Sequence, residues 1–440
     1  MAKLFKNKQV VVMGLGLHGG GVGAARFFAK QGAEVLVTDL KTKDQLKDSI
    51  NKLRGLKIKY SLGGHKEADF ISADLIIKNP DVPNSSPYLK IARKNNIAVE
   101  TDVSLFFKLS KTFIIGVTGT KGKSTVASLI FHILKLKFRR VFLAGNIGVS
   151  PLDLLSKVKA GDKVVLELSS FELENLTQSP NIAVITNIFP DHLNRYAGMA
   201  EYIEAKKIIF NHQKKSDILI LNADDKAVKL FAKDAKSKVY FFSSKERKPS
   251  INLDNLKLFG EHNTSNILAS AAAAEAMGIS RKIIEKSIKN FKGVPSRQEF
   301  IKEVKGVKYF NDTTATMPEA AVAAIKSFSE KFPASKLILI CGGQNKGLDF
   351  KVFARAIKEK VGELIMLPGT ASDKIKEELG EFKKLHSVSS MQAAVEKAKD
   401  LADKGDVVVL SPGAASFNLF KNEFDRGDQF VKIVKGLKNE

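Results

Sequence analysis

Short runs of consecutive apolar residues alternate along the chain with longer segments in which apolar residues recur every three to four positions. The short runs are typical of strands buried on both faces of a sheet, and the longer segments are typical of amphipathic helices. Because the two alternate almost throughout, the pattern predicts an α/β fold with mainly parallel sheets. The predicted strands are residues 10–13, 35–38, 75–77, 97–99, 113–115, 141–143, 164–166, 182–185, 218–221, 337–340, 364–366 and 407–410.

These elements fall into three blocks. The first ends near Ser110, the second runs from Lys111 to the loop 293–296, and the third carries the last three predicted strands. At 440 residues the chain is long enough for two to four domains, each with its own core.

The segment 116–125 reads GVTGTKGKST and lies between an apolar run and an apolar-periodic segment. A strand that leads into glycines and a lysine at the start of a helix is the sequence form of a phosphate-binding loop. Glycines let backbone amides surround phosphate oxygens, Lys123 can reach the outer phosphates, and a neighbouring hydroxyl can bind Mg²⁺. Val117 stands where the standard Walker pattern has glycine. The alternative is a glycine-rich turn with a surface lysine, but the order of strand, loop and helix favours ATP binding.

A second glycine loop, Gly14-x-Gly16-x-x-Gly19, follows the first predicted strand, and Asp39 closes the next strand. This pattern is the dinucleotide-binding fingerprint. Extra glycines in the same loop and a second nucleotide loop downstream make NAD a weaker interpretation. We expect a nucleotide of some kind here, since the glycines suit any pyrophosphate, and a tight turn without a ligand is the alternative.

Glu167 directly follows the predicted strand 164–166. A carboxylate at such a strand end, near a phosphate loop, is where Mg²⁺ is normally held. Glu172 and Glu174 are expected to face solvent on the following helix.

Two further strand ends of the middle block carry candidate polar residues. Asp191 and His192 follow the strand 182–185, and Asn146 follows the strand 141–143. A lone histidine in a loop is usually a surface or capping residue, but beside a phosphate loop and Glu167 it becomes a candidate ligand for a second metal ion. For Asn146, a simple turn is the alternative.

Four polar segments complete the candidate chemistry. The segment 261–266 opens an alanine-rich helix, where its Asn and Thr residues could serve only as caps. The loops 311–316, 342–346 and 411–416 each follow a strand of the third block. Polar loops on one edge of a sheet are where α/β proteins bind ligands, so their shared position is a stronger signal than any one of them.

The composition changes this picture little. The chain has 71 Lys and Arg against 47 Asp and Glu, a formal charge of +24. The excess is mostly lysine spread along the whole sequence, whereas nucleic-acid binders usually concentrate their charge on one face. We therefore expect no nucleic-acid partner, and a positive field would also suit phosphate-bearing substrates.

The single cysteine, Cys341, excludes a disulfide framework and a cysteine-based zinc site. No apolar run approaches the length of a membrane span, and residues 1–9 lack the apolar core of a signal peptide. We expect a cytoplasmic enzyme without a membrane partner.

Taken in order, these segments resemble the Mur ligase family, which builds the peptidoglycan stem peptide, over essentially the whole chain. The most specific similarities are residues 118–125, 167–171, 191–192 and 410–417, and the first block with residues 410–427 is most similar to the glutamate-adding branch. The resemblance implies three α/β domains: a Rossmann-like UDP-substrate domain (1–110), a P-loop-type ATP-binding domain (111–295) and a Rossmann-like domain that recruits the amino acid (296–440).

The resemblance also implies the chemistry. ATP would phosphorylate the carboxylate of UDP-N-acetylmuramoyl-L-alanine, and the amine of glutamate would then displace phosphate, with Mg²⁺ as cofactor and a monomer as the working form. In the family a carbamylated lysine bridges two metal ions, and Lys206 matches it. A solvated helix lysine is the alternative for Lys206, and its neighbour Lys207 keeps the choice open.

The resemblance also implies roles for individual residues of this sequence. Catalytic or metal-binding roles are implied for Lys123, Ser124, Asn146, Glu167, His192 and Lys206. ATP contacts are implied for Gly119, Thr120, Lys121, Gly122, Lys123, Ser124, Thr125, Asn263, Asn266, Arg297 and Asp312. UDP-substrate contacts are implied for Gly14, Leu17, His18, Gly19 and Asp39, and amino-acid contacts for Thr316, Lys346 and Ser416.

Several positions depart from the family pattern: Lys121 replaces Asn, Ser296 replaces His, Thr314 and Met317 replace Lys and Asn, and Glu423 occupies a glutamate-contacting position. D-glutamate is the favoured amino acid. L-glutamate stays open, because a related branch that uses L-glutamate also lacks the Lys that Thr314 replaces. A different Mur step and a folylpolyglutamate-type ligase also stay open, although the folate enzymes lack the first block. From other classes, the competing functions are an NAD-dependent oxidoreductase and a non-catalytic nucleotide-binding protein.

Overall fold

The computed structural model describes residues 4–17, 19–191, 195–254, 256–416 and 419–438. The chain divides into two compact units, Met1–Asn252 with Ser265–Ile288, and Leu253–Thr264 with Lys289–Glu440. Within the described ranges, no helix is both long and apolar enough to cross a membrane.

The first unit begins with a parallel five-stranded sheet of order β3-β2-β1-β4-β5. Alternate residues of β1 enter two different cores, Val10 and Val12 on one face and Val11 and Met13 on the other, which explains its continuous apolar run. The strands are β1 (Gln9–Met13), β2 (Glu34–Asp39), β3 (Ile58–Leu62), β4 (Leu75–Lys78) and β5 (Ala98–Glu100). The helices are α1 (Gly20–Lys30), α2 (Lys47–Asn51), α3 (Glu67–Ile71), α4 (Pro87–Lys94) and α5 (Asp102–Leu109).

The same unit contains a second, six-stranded parallel sheet of order β11-β10-β9-β6-β8-β7. Its strands are β6 (Phe113–Thr118), β7 (Val141–Gly145), β8 (Lys163–Glu167), β9 (Ile182–Ile185), β10 (Ile218–Asn222) and β11 (Lys238–Phe242). The helices of this segment are α6 (Lys123–Lys135), α7 (Ser170–Leu173), α8 (Met199–Asn211) and α9 (Lys226–Leu230), with 3₁₀ turns at Pro151–Leu154 and Phe231–Lys233. Two more helices follow, α10 (Glu261–Ala276) and α11 (Arg281–Asn290).

The two sheets of the first unit are joined by polar contacts as well as by a shared apolar core. Arg26 donates two hydrogen bonds to the Asp153 carboxylate, at 2.9 and 3.1 Å. The Ser150 hydroxyl donates to Asp102 at 2.7 Å, in a buried position. A Cβ on Gly23 would lie 2.3 Å from the Cβ of Ser150, so one of the extra glycines of the first loop serves this packing.

The second unit holds a six-stranded sheet of order β12-β13-β17-β14-β15-β16, parallel except for the β12–β13 hairpin. Its two faces are covered by separate apolar cores. The strands are β12 (Glu299–Val304), β13 (Val307–Asn311), β14 (Leu337–Cys341), β15 (Glu363–Met366), β16 (Leu385–Ser387) and β17 (Val407–Leu410). The helices are α12 (Pro318–Lys331), α13 (Lys351–Lys360), α14 (Thr370–Leu379), α15 (Met391–Leu401) and α16 (Glu423–Gly436). The predicted α/β class with mainly parallel sheets is confirmed.

Candidate active site

The phosphate-type loop joins β6 to α6, and two of its glycines cannot be replaced without a clash. Gly122 caps α6 with φ of 84°, and a Cβ there would lie 2.2 Å from Oδ1 of Asn266. Gly119 has φ of 142°, and its Cβ would lie 1.9 Å from Oγ1 of Thr186. Both positions therefore need glycine for backbone conformation and for space. The same contacts place Asn266 against the loop.

Two residues that sequence reasoning missed hold this loop in place. The amides of Thr120 and Lys121 donate to the backbone and side-chain oxygens of Asn187, at 2.9 and 2.8 Å. Asn187 in turn donates to the Lys121 carbonyl at 3.0 Å, and the Thr186 hydroxyl donates to that carbonyl at 2.7 Å. Both residues directly follow β9, so their position at a strand's carboxyl end was the available signal.

The two lysines of the loop have different surroundings. Lys123 is half-buried, and its ammonium donates to the carbonyls of Gly119 and Thr120 at 3.1 and 2.9 Å. Lys121 extends toward solvent, with 55% of its side chain exposed, and pairs with Asp191 at 3.2 Å. Ser124 follows Lys123 at the start of α6, and Thr125 is buried in its first turn.

Glu167 ends β8, in register with Val117 of β6 and Gly145 of β7. Its side chain is buried, and within the described residues Oε2 has no hydrogen-bond partner. A buried carboxylate oxygen without a donor is costly unless a cation binds there. The carbonyl of Glu167 accepts a hydrogen bond from the amide of Asn146 at 2.9 Å, which places the exposed Asn146 beside it.

Lys206 and Lys207, adjacent on α8, lie in opposite environments. Lys206 is 1% exposed, and its ammonium lies 4.7 Å from the centre of the Tyr202 ring. Burial first, and then the charge of Lys123, hold the pKa of Lys206 well below its usual value. Lys207 forms ion pairs with two carboxylates near the surface, mainly through Asp234, which raise its pKa. Of the two lysines, Lys206 is the buried one.

The expectation that Glu172 faces solvent was wrong. Its carboxylate accepts hydrogen bonds from the amide and hydroxyl of Ser169, both at 2.7 Å, in a capping box at the start of the short helix α7. The residue is buried, and burial followed by the nearby Asp102 carboxylate raises the pKa of Glu172 to about 8. Glu174 is half-buried and accepts from Tyr196 at 2.9 Å.

Asp39 stabilises the first glycine loop through hydrogen bonds to its backbone amides. Its Oδ2 accepts hydrogen bonds from the amides of Leu15 and Gly16 at 2.9 and 3.2 Å, and its Oδ1 accepts from the Lys41 amide at 2.9 Å. The side chain is buried. In the dinucleotide-binding fingerprint the equivalent carboxylate contacts a ribose, whereas here both oxygens already bind backbone amides.

Glycines of this loop have positive φ angles. Gly14 and Gly19 have φ of 89° and 97°, and Gly19 is the N-cap of α1. Leu17, in the same loop, is 43% exposed. Two candidate residues of the first unit, His18 and His192, lie outside the described residues. Among the residues that are described, no group of three His, Cys, Asp or Glu could hold a metal ion by itself.

In the second unit, Asp312 directly follows β13 and is buried. It accepts hydrogen bonds from the Ser411 hydroxyl at 2.8 Å and the Gln298 amide at 3.1 Å. Burial raises its pKa to about 6, against the opposing charge of Arg297. Asn263 is buried and donates to Gln298 at 3.2 Å, so Asn263, Arg297 and Asp312 lie around the same turn.

The three predicted loops of the second unit meet at one edge of its sheet. Gln344 and Ala415 exchange backbone hydrogen bonds at 2.9 and 3.2 Å, which joins the loop of Lys346 to that of Ser416. The Gly413 amide donates to the Ala315 carbonyl at 2.8 Å, which adds the loop of Thr316. Ser416 is buried, Thr316 is half-buried and Lys346 is exposed.

Arg426 is a structural residue of this edge that sequence reasoning missed. It is fully buried and donates to the hydroxyl and carbonyl of Thr313 at 3.0 and 2.8 Å, and to the Ala414 carbonyl at 3.1 Å. Two departures from the family pattern contact each other nearby, since the Thr314 hydroxyl donates to the Ser296 carbonyl at 2.9 Å. Glu423 begins α16, and its carbonyl accepts from the Thr313 hydroxyl at 2.8 Å.

This combination of a phosphate-type loop, a buried strand-end carboxylate and a third α/β sheet with polar loops at one edge defines a nucleotide-dependent enzyme of three α/β segments. The chain belongs to the Mur ligase family. The Mur ligase MurD-like N-terminal domain matches residues 8–101, the Mur ligase middle domain matches residues 117–274, and the Mur ligase glutamate ligase domain matches residues 296–413.

Two relatives are similar over nearly their whole length. The chain is 40% identical to a UDP-N-acetylmuramoylalanine–D-glutamate ligase from Roseiflexus sp. (strain RS-1), over 98% of this chain and 99% of the relative. It is 41% identical to the protein of the same name from Borreliella afzelii (strain PKo), over 98% of each chain.

Solved structures show the same fold at lower sequence identity. The UDP-N-acetylmuramate-alanine ligase MurC of Thermotoga maritima superimposes with a TM-score of 0.63 at 18% identity, over 98% of this chain and 100% of that one. The MurF ligase of Thermotoga maritima, solved in complex with ADP, has a TM-score of 0.59 at 17% identity, over 99% of this chain and 96% of that one.

Proposed function

We propose that the chain is an ATP-dependent ligase of peptidoglycan synthesis that joins D-glutamate to UDP-N-acetylmuramoyl-L-alanine. The observation that carries the proposal is Glu167, a buried carboxylate with an unpartnered oxygen among the described residues, at the strand end beside the phosphate-type loop. A nucleotide loop alone would support binding only. The added cation position supports phosphoryl transfer, and the relatives of the same length support this acceptor and this amino acid.

The residues of the first unit fit a magnesium ion, because Ser124 and Glu167 supply the oxygen ligands that Mg²⁺ prefers. When bound, the ion would neutralise charge on the phosphates and on the acceptor carboxylate. His192 and Lys206, the latter if carbamylated, are proposed to serve a second ion, with Asn146 beside Glu167.

Transfer of the phosphoryl group depends on positioning and on charge. The amides of the loop 119–125 would hold the ATP phosphates. The ammonium of Lys123, which donates to the carbonyls of Gly119 and Thr120, would donate to phosphate oxygens instead. Asn266 packs on the loop and would contact the nucleotide. Asn263, Arg297 and Asp312, which match ATP-contacting positions of the family, are proposed as further ATP contacts.

The acceptor carboxylate would attack the γ-phosphorus, so that ADP leaves and an acyl phosphate forms. The amine of glutamate would then attack the acyl carbon, and phosphate would leave with one oxygen of the original carboxylate. Gly14, Leu17, His18, Gly19 and Asp39 are proposed to bind or support the UDP group. Thr316, Lys346 and Ser416 are proposed to bind glutamate.

We further propose that the enzyme acts in the cytoplasm, since ATP and UDP-sugar precursors are available there. We also propose that it works as a monomer. Sedimentation at the mass of one chain would support the monomer, and a stable dimer would contradict it.

The direct test is phosphate release in the presence of ATP, Mg²⁺, UDP-N-acetylmuramoyl-L-alanine and either enantiomer of glutamate. We expect release only when every component is present and only with D-glutamate. Release with L-glutamate instead would assign the other branch. Release with neither enantiomer but with another amino acid would assign a different Mur step, and no release at all would reject the ligase.

A further inference from the structure

A cavity of about 470 Å³ lies at the amino ends of the strands of the six-stranded sheet in the first unit, and we call it the amino-edge cavity. Phe113, Ile182 and Ile218 line it and are the first residues of β6, β9 and β10. Lys163, the first residue of β8, lines it as well. The phosphate-type loop follows the other end of β6, about 16 Å of strand away from Phe113. The amino-edge cavity is therefore separate from the candidate active site.

Most of the wall of this cavity is apolar, and much of that apolar surface is not buried by the protein itself. Phe113, Phe138, Ile218 and Met277 are each only half-buried, whereas Ile182 is buried. All the lining residues belong to the first unit. The volume is within the roughly 300–1,000 Å³ that is usual for small-molecule sites, whose walls are also mainly apolar. The wall therefore suits a small ligand with an apolar body.

Lys163 adds a cation to this wall. Its ammonium lies 4.3 Å from the centre of the Phe113 ring and 5.4 Å from that of the Phe138 ring. The side chain is half-buried, and within the described ranges of the chain the ammonium has neither a carboxylate partner nor a hydrogen-bond acceptor. Because the two rings displace part of its water, an anion in the cavity would be attracted more strongly than at an exposed lysine.

Three polar side chains of the lining limit the charge that a ligand can carry. Oδ1 of Asn181 accepts from the amide of Ile114 at 2.9 Å, so the amide nitrogen of its side chain is left to donate. Ser216 supplies an exposed hydroxyl. Asp217 lines the cavity too, and its Oδ2 accepts from the amide of Lys214 at 2.7 Å. These donors suit a carboxylate, while the charge of Asp217 would repel a dianion such as a phosphate monoester.

We propose that the amino-edge cavity is a further ligand site of this chain and that it takes a small aromatic monocarboxylate. The carboxylate would pair with the ammonium of Lys163 and accept from the side-chain amide of Asn181. The aromatic body would pack against Phe113 and Phe138, where offset or edge-to-face ring contacts are favourable. The site is independent of the proposed function, and its test requires no ligase activity.

The experiment measures dissociation constants by calorimetry at low ionic strength for three probes. The probes are phenylbutyrate, the neutral phenylbutanol and the dianionic phenyl phosphate. The wild type is compared with Lys163→Met, which removes the charge, and with Lys163→Arg, which keeps it. The matched control is Lys135→Met, because Lys135 also lies over a ring, 5.3 Å from the centre of Phe131, but outside the lining of the cavity.

We expect the wild type to bind phenylbutyrate at least about tenfold more tightly than either other probe, since a hydrogen bond to a charged group changes Kd by about this factor. Lys163→Met should raise Kd for phenylbutyrate about tenfold and remove the preference over phenylbutanol. Lys163→Arg and Lys135→Met should stay within about threefold of the wild type. Saturating ATP with Mg²⁺ should leave Kd unchanged, because the phosphate-type loop lies at the opposite edge of the sheet.

Equal affinity for the three probes would overturn the proposal, as would absence of phenylbutyrate binding at millimolar concentration. Displacement by ATP, or an equal loss in Lys135→Met, would also overturn it. If Lys163→Met does not fold, Met277→Glu decides, because it adds a carboxylate to the wall and leaves Lys163 in place. Binding of phenylbutyrate weakened about tenfold, with that of phenylbutanol unchanged, would then support the site, and equal effects on both probes would reject it.

Discussion

The ammonium of Lys206 lies 4.7 Å from the centre of the Tyr202 ring, and the hydroxyl of Tyr202 lies 3.1 Å from that of Thr120 in the phosphate-type loop. The lysine is therefore linked to the nucleotide loop through one aromatic side chain. Burial and the charge of Lys123 lower its pKa, which increases the fraction of neutral amine, the form that can react with CO₂. This environment supports the proposal that Lys206 is the lysine that becomes carbamylated.

Replacing Lys206 by alanine should lower kcat by at least about 100-fold, the usual cost of removing a preorganised charged group from a phosphoryl-transfer site. Its neighbour provides the control, because Lys207→Ala removes a half-buried lysine paired with two exposed carboxylates and should change kcat by less than about threefold. Steady-state phosphate release measures both. Removal of dissolved CO₂ should also lower wild-type activity, and bicarbonate should restore it. Full activity of Lys206→Ala would exclude the role.

Substitutions of the two loop lysines, Lys123 and Lys121, should lower kcat by different amounts in the same assay. Lys123→Ala should lower kcat by about 100- to 1,000-fold, because its ammonium is placed to meet charge that develops on the transferred group. Lys121→Asn, which introduces the residue that the family usually has, removes an ion pair whose lysine is 55% exposed and should cost less than about tenfold. A larger loss in Lys121→Asn than in Lys123→Ala would reverse these assignments.

Asp39→Asn should raise KM for UDP-N-acetylmuramoyl-L-alanine with little change in kcat. An amide has one acceptor oxygen in place of two, so it cannot receive the amides of Leu15, Gly16 and Lys41 together. The loss of one buried hydrogen bond to a charged group costs about 1–3 kcal/mol, enough to loosen the glycine loop. Calorimetry should detect no binding of NAD to the wild type. NAD binding that Asp39→Asn abolishes would instead favour the oxidoreductase.

Glu172 should make stability depend on pH. Its pKa is about 8 in the folded protein and near 4.5 when exposed, so the folded state holds the proton more tightly. This tighter proton binding adds to the free energy of unfolding. The addition is complete below pH 4.5 and is lost as the pH rises toward 8. In urea unfolding between pH 5.5 and 8.5, the free energy of unfolding of the wild type should therefore fall by on the order of a few kcal/mol more than that of Glu172→Gln. Glu275→Gln, an exposed carboxyl on α10, should follow the wild type, and identical pH profiles for all three proteins would refute the assignment.

The hydrophobic pattern predicted the interior strands of all three sheets except β13, and it missed most of the edge strands. The strands β3, β11, β12 and β16 each lie at the end of a sheet. A strand at an edge is exposed along one side and carries polar residues, so it lacks the continuous apolar run that identified the others. Tyr60 of β3 and Tyr240 of β11, for example, are 38% and 46% exposed.

The position of a candidate residue in the fold was predictable where it lies at the end of a strand or the start of a helix, as for Glu167 and Lys123. It was not predictable where a residue acts through distant partners. Arg195 and Arg426 are ordinary arginines in the sequence, and only the fold brings backbone carbonyls from elsewhere in the chain to meet them. The burial of Glu172 was missed for the same reason, because helix periodicity cannot indicate the direction of a helix only four residues long.

The most direct test of the central claim, activation of a carboxylate by ATP, is an oxygen-transfer measurement. UDP-N-acetylmuramoyl-L-alanine labelled with ¹⁸O in its carboxylate is incubated with the enzyme, ATP, Mg²⁺ and D-glutamate, and the released phosphate is analysed by mass. If an acyl phosphate forms, each phosphate released should carry one oxygen from the labelled carboxylate. Phosphate without label, released together with product, would contradict the account.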